Sequence, residues 1–188
     1  MTLVIGLGNP GPEYEHTRHN AGFDVIDSIS QKLEIKMKKP LFRKYLRGRG
    51  ILSGEKVELV KPLTYMNRSG MIIPRVTKGL KGLFPDHFII ITDNLDLPPG
   101  KIRVKRGAST AGHNGLASVK LILGDTPYLR VFVGIGHPGS KEDVVPYVLS
   151  KPEGKEAENM STAIEAAADT VIKLISSDPE AVMNESNR

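Results

Sequence analysis

Three short apolar runs constrain this chain most: Leu3-Val4-Ile5, Phe88-Ile89-Ile90-Ile91-Thr92 and Arg130-Val131-Phe132-Val133-Gly134-Ile135. Each is too short for a stable helix and is bounded by polar residues or glycine, the pattern of a strand covered on both faces. Helical periodicity lies between them. Ala21, Phe23, Val25, Ile26, Ile29 and Leu33 fall on one side of a helix that Asn20 is placed to cap, and Ile72, Ile73, Val76, Leu80 and Leu83 predict a second, with Pro74 in its first turn. Further helices are predicted over 116–123, 141–149 and 155–176, and a β-hairpin over 45–52 and 56–61 around Ser53-Gly54-Glu55. Residues 178–188 read as a polar tail that frays. The alternation predicts a single α/β domain over 1–188: a mixed, largely parallel sheet with helices on both faces.

In open α/β sheets the chemistry sits in loops beyond the carboxyl ends of strands, so those loops are the place to look. The first contains Gly6-x-Gly8-x-x-Gly11, which in a dinucleotide site must lead into a helix whose amides hold a pyrophosphate. Pro10 and Pro12 donate no N–H, and helical periodicity begins only near Asn20, so these glycines read as a tight turn with room for close approach. The same loop offers Asn9, Tyr14, Arg18 and His19, side chains suited to carbonyl chemistry, although a lone loop histidine is more often solvated than basic in function. A second loop, 61–70, leaves the hairpin and carries Tyr65 and Asn67, with Asn67 or Ser69 able to cap the helix predicted next. A third begins with Asp93 at the end of a buried strand, where a carboxylate can cap the loop or orient a base; Asp96 reads as a turn residue. The small-residue stretch 107–115 places Asn114 at a helix start whose amides suit an anion or a substrate backbone. Lys101, Arg103 and Lys105 alternate with apolar residues and share one face, as in an amphipathic surface strand or a phosphate-tracking strip.

Composition narrows the chemistry. There is no cysteine, hence no disulfide, thiolate nucleophile or Cys-based zinc site, and no His-Glu motif completes a metal site around His16 and His19. Cofactors are expected to be none. A net charge of +5 and a pI near 9.4 suit an anionic partner such as nucleic acid. No apolar run approaches membrane-spanning length, so a soluble cytoplasmic protein is expected.

Taken together and in order, the loops resemble those of the bacterial-type peptidyl-tRNA hydrolases over nearly the whole chain. The likeness rests on Gly6-Leu7-Gly8-Asn9-Pro10-Gly11, on 14–22, on Pro62 to Gly70, on Asp93 to Pro98 and on Gly112-His113-Asn114-Gly115-Leu116. Gly134 to Pro138 and Tyr147-Val148-Leu149 add to it. The resemblance implies hydrolysis of the ester joining a peptide to the 3′ end of tRNA, freeing tRNA from abandoned translation products. It implies His19 as catalytic base, Asp93 as the carboxylate holding it, and Asn9, Asn67 and Asn114 as residues that position substrate and water, Asn9 also distinguishing blocked from free aminoacyl groups. Tyr14 and Tyr65 match substrate-contact positions. A metal-free monomer is implied, with peptidyl-tRNA its only partner. Two departures stand out. Ala108-Ser109-Thr110-Ala111 replaces a more glycine-rich stretch, which should stiffen that loop. Phe132 occupies a position where the family often has a phosphate-holding basic residue, leaving Lys101, Arg103, Lys105 and Arg130 as candidates for tRNA contact. A binding protein of the same fold and a nicotinamide enzyme remain alternatives at this level.

Overall fold

Strand β1 (Thr2–Gly6) lies inside the sheet, pairing in parallel with β3 (Glu55–Pro62) on one side and β4 (Phe88–Asn94) on the other. β6 (Tyr128–Gly134) extends the parallel set beside β4. The edges are antiparallel: β2 (Tyr45–Leu52) on β3 and β5 (Ile102–Gly107) on β6, in the order β2-β3-β1-β4-β6-β5. The computed structural model describes residues 1–187.

Side chains alternate across the interior strands, which splits the core into two layers. Val4, Ile89, Ile91 and Val131 face α1 (Ala21–Lys32) and α5 (Gly154–Ser176), while Leu3, Ile5, Phe88 and Ile90 pack with Ile73 and Val76 of α2 (Ile73–Val76) and Leu116 and Val119 of α3 (Asn114–Leu123). This is why the runs are apolar at every position. Burying one such side chain stabilises by about 1.5–3 kcal/mol.

Three expectations need correction. The second helix ends at Val76 rather than Leu83, because Gly79 takes a left-handed φ of 79° and the chain continues in turns; the residues before it, Met66–Ile72, form 3-10 turns. The helix expected over 141–149 is reduced to α4 (Val144–Val148). The expected fraying tail instead holds α6 (Pro179–Ser186), started by the Asp178 side chain accepting from Ala181 N and anchored by buried Val182. Asn187 then bonds both backbone groups of Val104 at 2.8 and 2.9 Å and so covers the β5 edge.

Because the interior strands are parallel, the loops after β1, β3, β4 and β6 open on one rim. The antiparallel edges bring the starts of β2 and β5 to that rim as well. At its centre a Cβ on Gly6 would collide with the Gly22 carbonyl, so the glycine pair lets α1 press directly on the end of β1.

Candidate active site

That close approach sets the 3-10 turn Arg18–Asn20 over the end of β4, where His19 Nδ1 lies 3.0 Å from each Asp93 carboxylate oxygen. The side chains are 12% and 2% exposed. A carboxylate only accepts, so Nδ1 carries the hydrogen and Nε2, with no protein partner among the described residues, keeps its lone pair. Burial pushes the imidazole pKa down, but the charge and hydrogen bond of Asp93 push it up and prevail, holding it above its ordinary 6.5. Burial raises the Asp93 carboxyl, yet the His19 ring and hydrogen bonds from two histidines hold it well below the ordinary carboxylate range.

The second histidine is His113. Its Nδ1 accepts from Gly115 N at 3.1 Å and Leu116 N at 3.3 Å, capping α3, so the hydrogen is on Nε2. Nε2 is 2.9 Å from Asp93 Oδ1 and 2.8 Å from Thr92 Oγ1. Both ring nitrogens are thus committed, and His113 has no lone pair left for a reacting proton. The donor atoms of His19, Asp93 and His113 lie within 4.8 Å of one another, a spacing that a metal site also shows. With the hydrogens placed as above, the nitrogens facing Asp93 are its hydrogen-bond donors.

Asn9 is buried beside this group. Its Oδ1 accepts from Met66 N at 2.8 Å, and its backbone is gripped on both sides by the Asn20 amide at 2.8 and 3.0 Å. Asn20 is therefore a loop clasp and makes no side-chain cap on α1. With Oδ1 engaged, the amide orientation is settled and Nδ2–H₂ is what Asn9 offers to a ligand. The Asn9 to Met66 bond draws in the Met66–Ile72 turns that carry exposed Asn67, and Tyr14 and Tyr65 meet edge to face at 6.4 Å. Asn114, the first residue of α3, lines a cleft of about 190 Å³ with His19, Asp93, His113, Val144 and Val148. A wider hollow of about 380 Å³ between α1 and α5 also holds a histidine–carboxylate contact, His16 Nδ1 to Asp24 Oδ1 at 3.1 Å, but that imidazole is 76% exposed where His19 is 12%, so it is burial and not volume that sets the His19 site apart.

Lys101, Arg103 and Lys105 are exposed with no acidic partner among the described residues. Arg130 is not part of that exposed strip. It is 4% exposed, donates through Nη1 to Ser109 O, stacks over Phe132 at 5.5 Å and leaves Nε unpartnered, and burial lowers its pKa. Arg130 sits opposite Lys105 across the β5–β6 ladder, two cations facing one small hollow with Arg103 and Asp96.

The family resemblance paired His19 with Asp93, and nothing in the sequence reading found the part played by His113, Thr92 and Asn20. The available signal was a histidine just before a helix start, where an N-cap acceptor is needed.

The peptidyl-tRNA hydrolase family model matches residues 3–188. The chain is 46% identical over 171 residues to a peptidyl-tRNA hydrolase of Shouchella clausii, covering 91% of each protein, and 42% identical over 187 residues to one of Clostridium novyi, covering 100% of this chain and 98% of that one. The crystal structure of peptidyl-tRNA hydrolase from Acinetobacter baumannii superposes with a TM-score of 0.92 at 40% identity, covering 100% of this chain and 94% of that one.

Proposed function

The chain belongs to the peptidyl-tRNA hydrolase family and hydrolyses peptidyl-tRNA, and from that premise we propose that His19 is the general base of the reaction. The observation that carries this is the pair of 3.0 Å contacts from Nδ1 to Asp93, which leaves Nε2 as a lone pair at the mouth of the cleft. Water attacks the ester carbonyl carbon and gives its proton to Nε2. Asp93 favours the imidazolium that forms. The tetrahedral intermediate then expels the ribose 3′ oxygen, which takes the proton from Nε2, and the products are tRNA and a free peptide carboxylic acid, which loses its proton to solvent. Side-chain amides of Asn114 and Asn67 are the donors we assign to the developing oxyanion and the attacking water. Every group named comes from one chain, so the mechanism needs no residue from a second copy, and we take the enzyme to act as a monomer on the cytoplasmic tRNA pool.

Asn9 accounts for selectivity. Its available Nδ2–H₂ can donate to the carbonyl of an N-blocked aminoacyl group, whereas a free ammonium presents only donors and positive charge. Lys101, Arg103 and Lys105 are assigned to tRNA phosphates, with Tyr14 and Tyr65 beside the substrate. Arg130 and Lys105 face each other across the β5–β6 ladder, and among the described residues neither is ion-paired, Asp96 being the one acidic side chain lining their hollow; a phosphate there would relieve the repulsion.

The test is release of tRNA from N-acetylaminoacyl-tRNA and from the free aminoacyl form, in wild type and Asn9→Ala. The wild type should strongly prefer the blocked substrate, and the variant should lose most of that preference. Equal wild-type cleavage of both forms would contradict the reading.

A further inference from the structure

We propose that the loop 36–44 is a second contact for the tRNA half of the substrate, with Phe42 stacking on an unpaired base of the 3′ end and the surrounding cations meeting phosphates. The inference rests on the hydrolase reading and adds a surface on the opposite edge of the sheet from the β5 strip.

At the loop tip, Leu41 is 79% exposed and Phe42 91%. Phe42 also holds a left-handed φ of 58°, a conformation that is uncommon and costly for a bulky residue. The tip is nonetheless anchored: Lys38 and Arg47 exchange backbone bonds at 2.9 and 2.8 Å, and Arg43 N donates to Pro40 O at 3.1 Å. Lys36, Lys38, Lys39, Arg43 and Lys44 have no acidic partner among the described residues, and most of them are exposed. An apolar tip by itself would suit many partners. Five unpaired cations around an aromatic ring select a polyanion that also offers flat apolar faces, which is the chemistry of single-stranded nucleic acid.

Position identifies which nucleic acid. Leu63 N donates to Lys44 O at 2.8 Å, so the loop abuts the segment leading to exposed Tyr65, Asn67 and Arg68 on the catalytic rim. β2 and β5 are the two sheet edges, five strand spacings or about 24 Å apart, and the His19 site lies between them. An acceptor end that delivers its 3′ ester to His19 therefore passes between cations on both sides.

The experiment measures equilibrium binding of deacylated tRNA, with and without its single-stranded 3′ nucleotides, across a series of salt concentrations. Phe42→Ala should weaken binding of intact tRNA about tenfold and leave the shortened tRNA unaffected, while Phe42→Trp restores affinity. Combining Lys39→Gln, Arg43→Gln and Lys44→Gln should lower the slope of log K against log salt by about 2. The KM for N-acetylaminoacyl-tRNA should rise in step with the lost affinity in all of them. Unaltered affinity and slope overturn the inference, as does a defect confined to substrates with long peptides or to binding of phosphatidylserine vesicles. Absence of hydrolysis by the wild type would instead overturn the catalytic reading, which these binding measurements do not depend on.

Discussion

The two histidines on Asp93 differ in where their second nitrogen goes. His19 Nε2 is left open, while His113 Nδ1 is consumed by the amides of Gly115 and Leu116. The second ring thus serves two purposes, holding the carboxylate and starting α3, and substitutions can separate them. His113→Asn keeps a short acceptor for the amides but removes the donor to Asp93; it should leave the melting temperature near wild type and lower kcat by about tenfold, the scale of one charge-assisted hydrogen bond. His113→Ala should lose the cap as well, costing about 1 kcal/mol of stability. Thermal melts with single-turnover rates check both. An unchanged kcat in His113→Asn would mean that the ring is only a cap. Strand-end loops marked His19 and Asp93 as candidates in the sequence, and the family resemblance paired them. The His113 tautomer was not legible there, since it depends on two amide hydrogens that only the folded helix start aligns.

Arg18 ties two elements together. Its Nε and Nη2 fork onto Glu156 at 2.6 and 2.7 Å, Nη1 reaches Ser150 Oγ at 2.6 Å and the carbonyls of Ser150 and Lys151 at 3.2 Å, and the guanidinium lies 4.2 Å over the Tyr147 ring. The turn bearing His19 is thereby fastened to the junction of α4 and α5, which also forms one wall of the cleft. Arg18→Ala should destabilise by about 2–3 kcal/mol in urea unfolding, less than a fully buried pair would because Glu156 is part-exposed. Arg18→Lys keeps the charge without the fork and should recover only part of that loss, with kcat falling more than KM rises as His19 drifts from Asp93. A variant as stable as wild type would show the clamp to be incidental. At this scale the strands and the hairpin followed from patterning alone. The short α2 and the added α6 did not, because a run of apolar residues cannot show that Gly79 turns left-handed, and a polar tail cannot show that Asn187 finds an open strand edge.

Across the whole molecule the net charge of +5 is distributed unevenly, with the β5 strip on one side of the rim and the site at its centre. Lys105 and Arg130 repel across the ladder when no anion lies between them. Lys105→Gln should therefore raise the melting temperature of the free protein slightly, yet weaken tRNA binding and reduce its salt slope by about 0.7–0.9. A lower melting temperature with an unchanged slope would move the footprint away from β5. The loops from β1, β3 and β4 and the start of α3 converge on His19, and the pH dependence of hydrolysis reads their combined effect. Activity requires neutral His19, so the rate falls as pH drops through its pKa, which Asp93 holds above the ordinary 6.5. The most direct measurement is the pH–rate profile of N-acetylaminoacyl-tRNA hydrolysis by wild type, Asp93→Asn and His19→Ala. The wild-type acid limb should lie above pH 6.5, Asp93→Asn should shift it to lower pH, and His19→Ala should lose about 10²–10⁴ in rate while still binding tRNA. A His19→Ala enzyme with a near-normal rate and the wild-type acid limb would contradict the account.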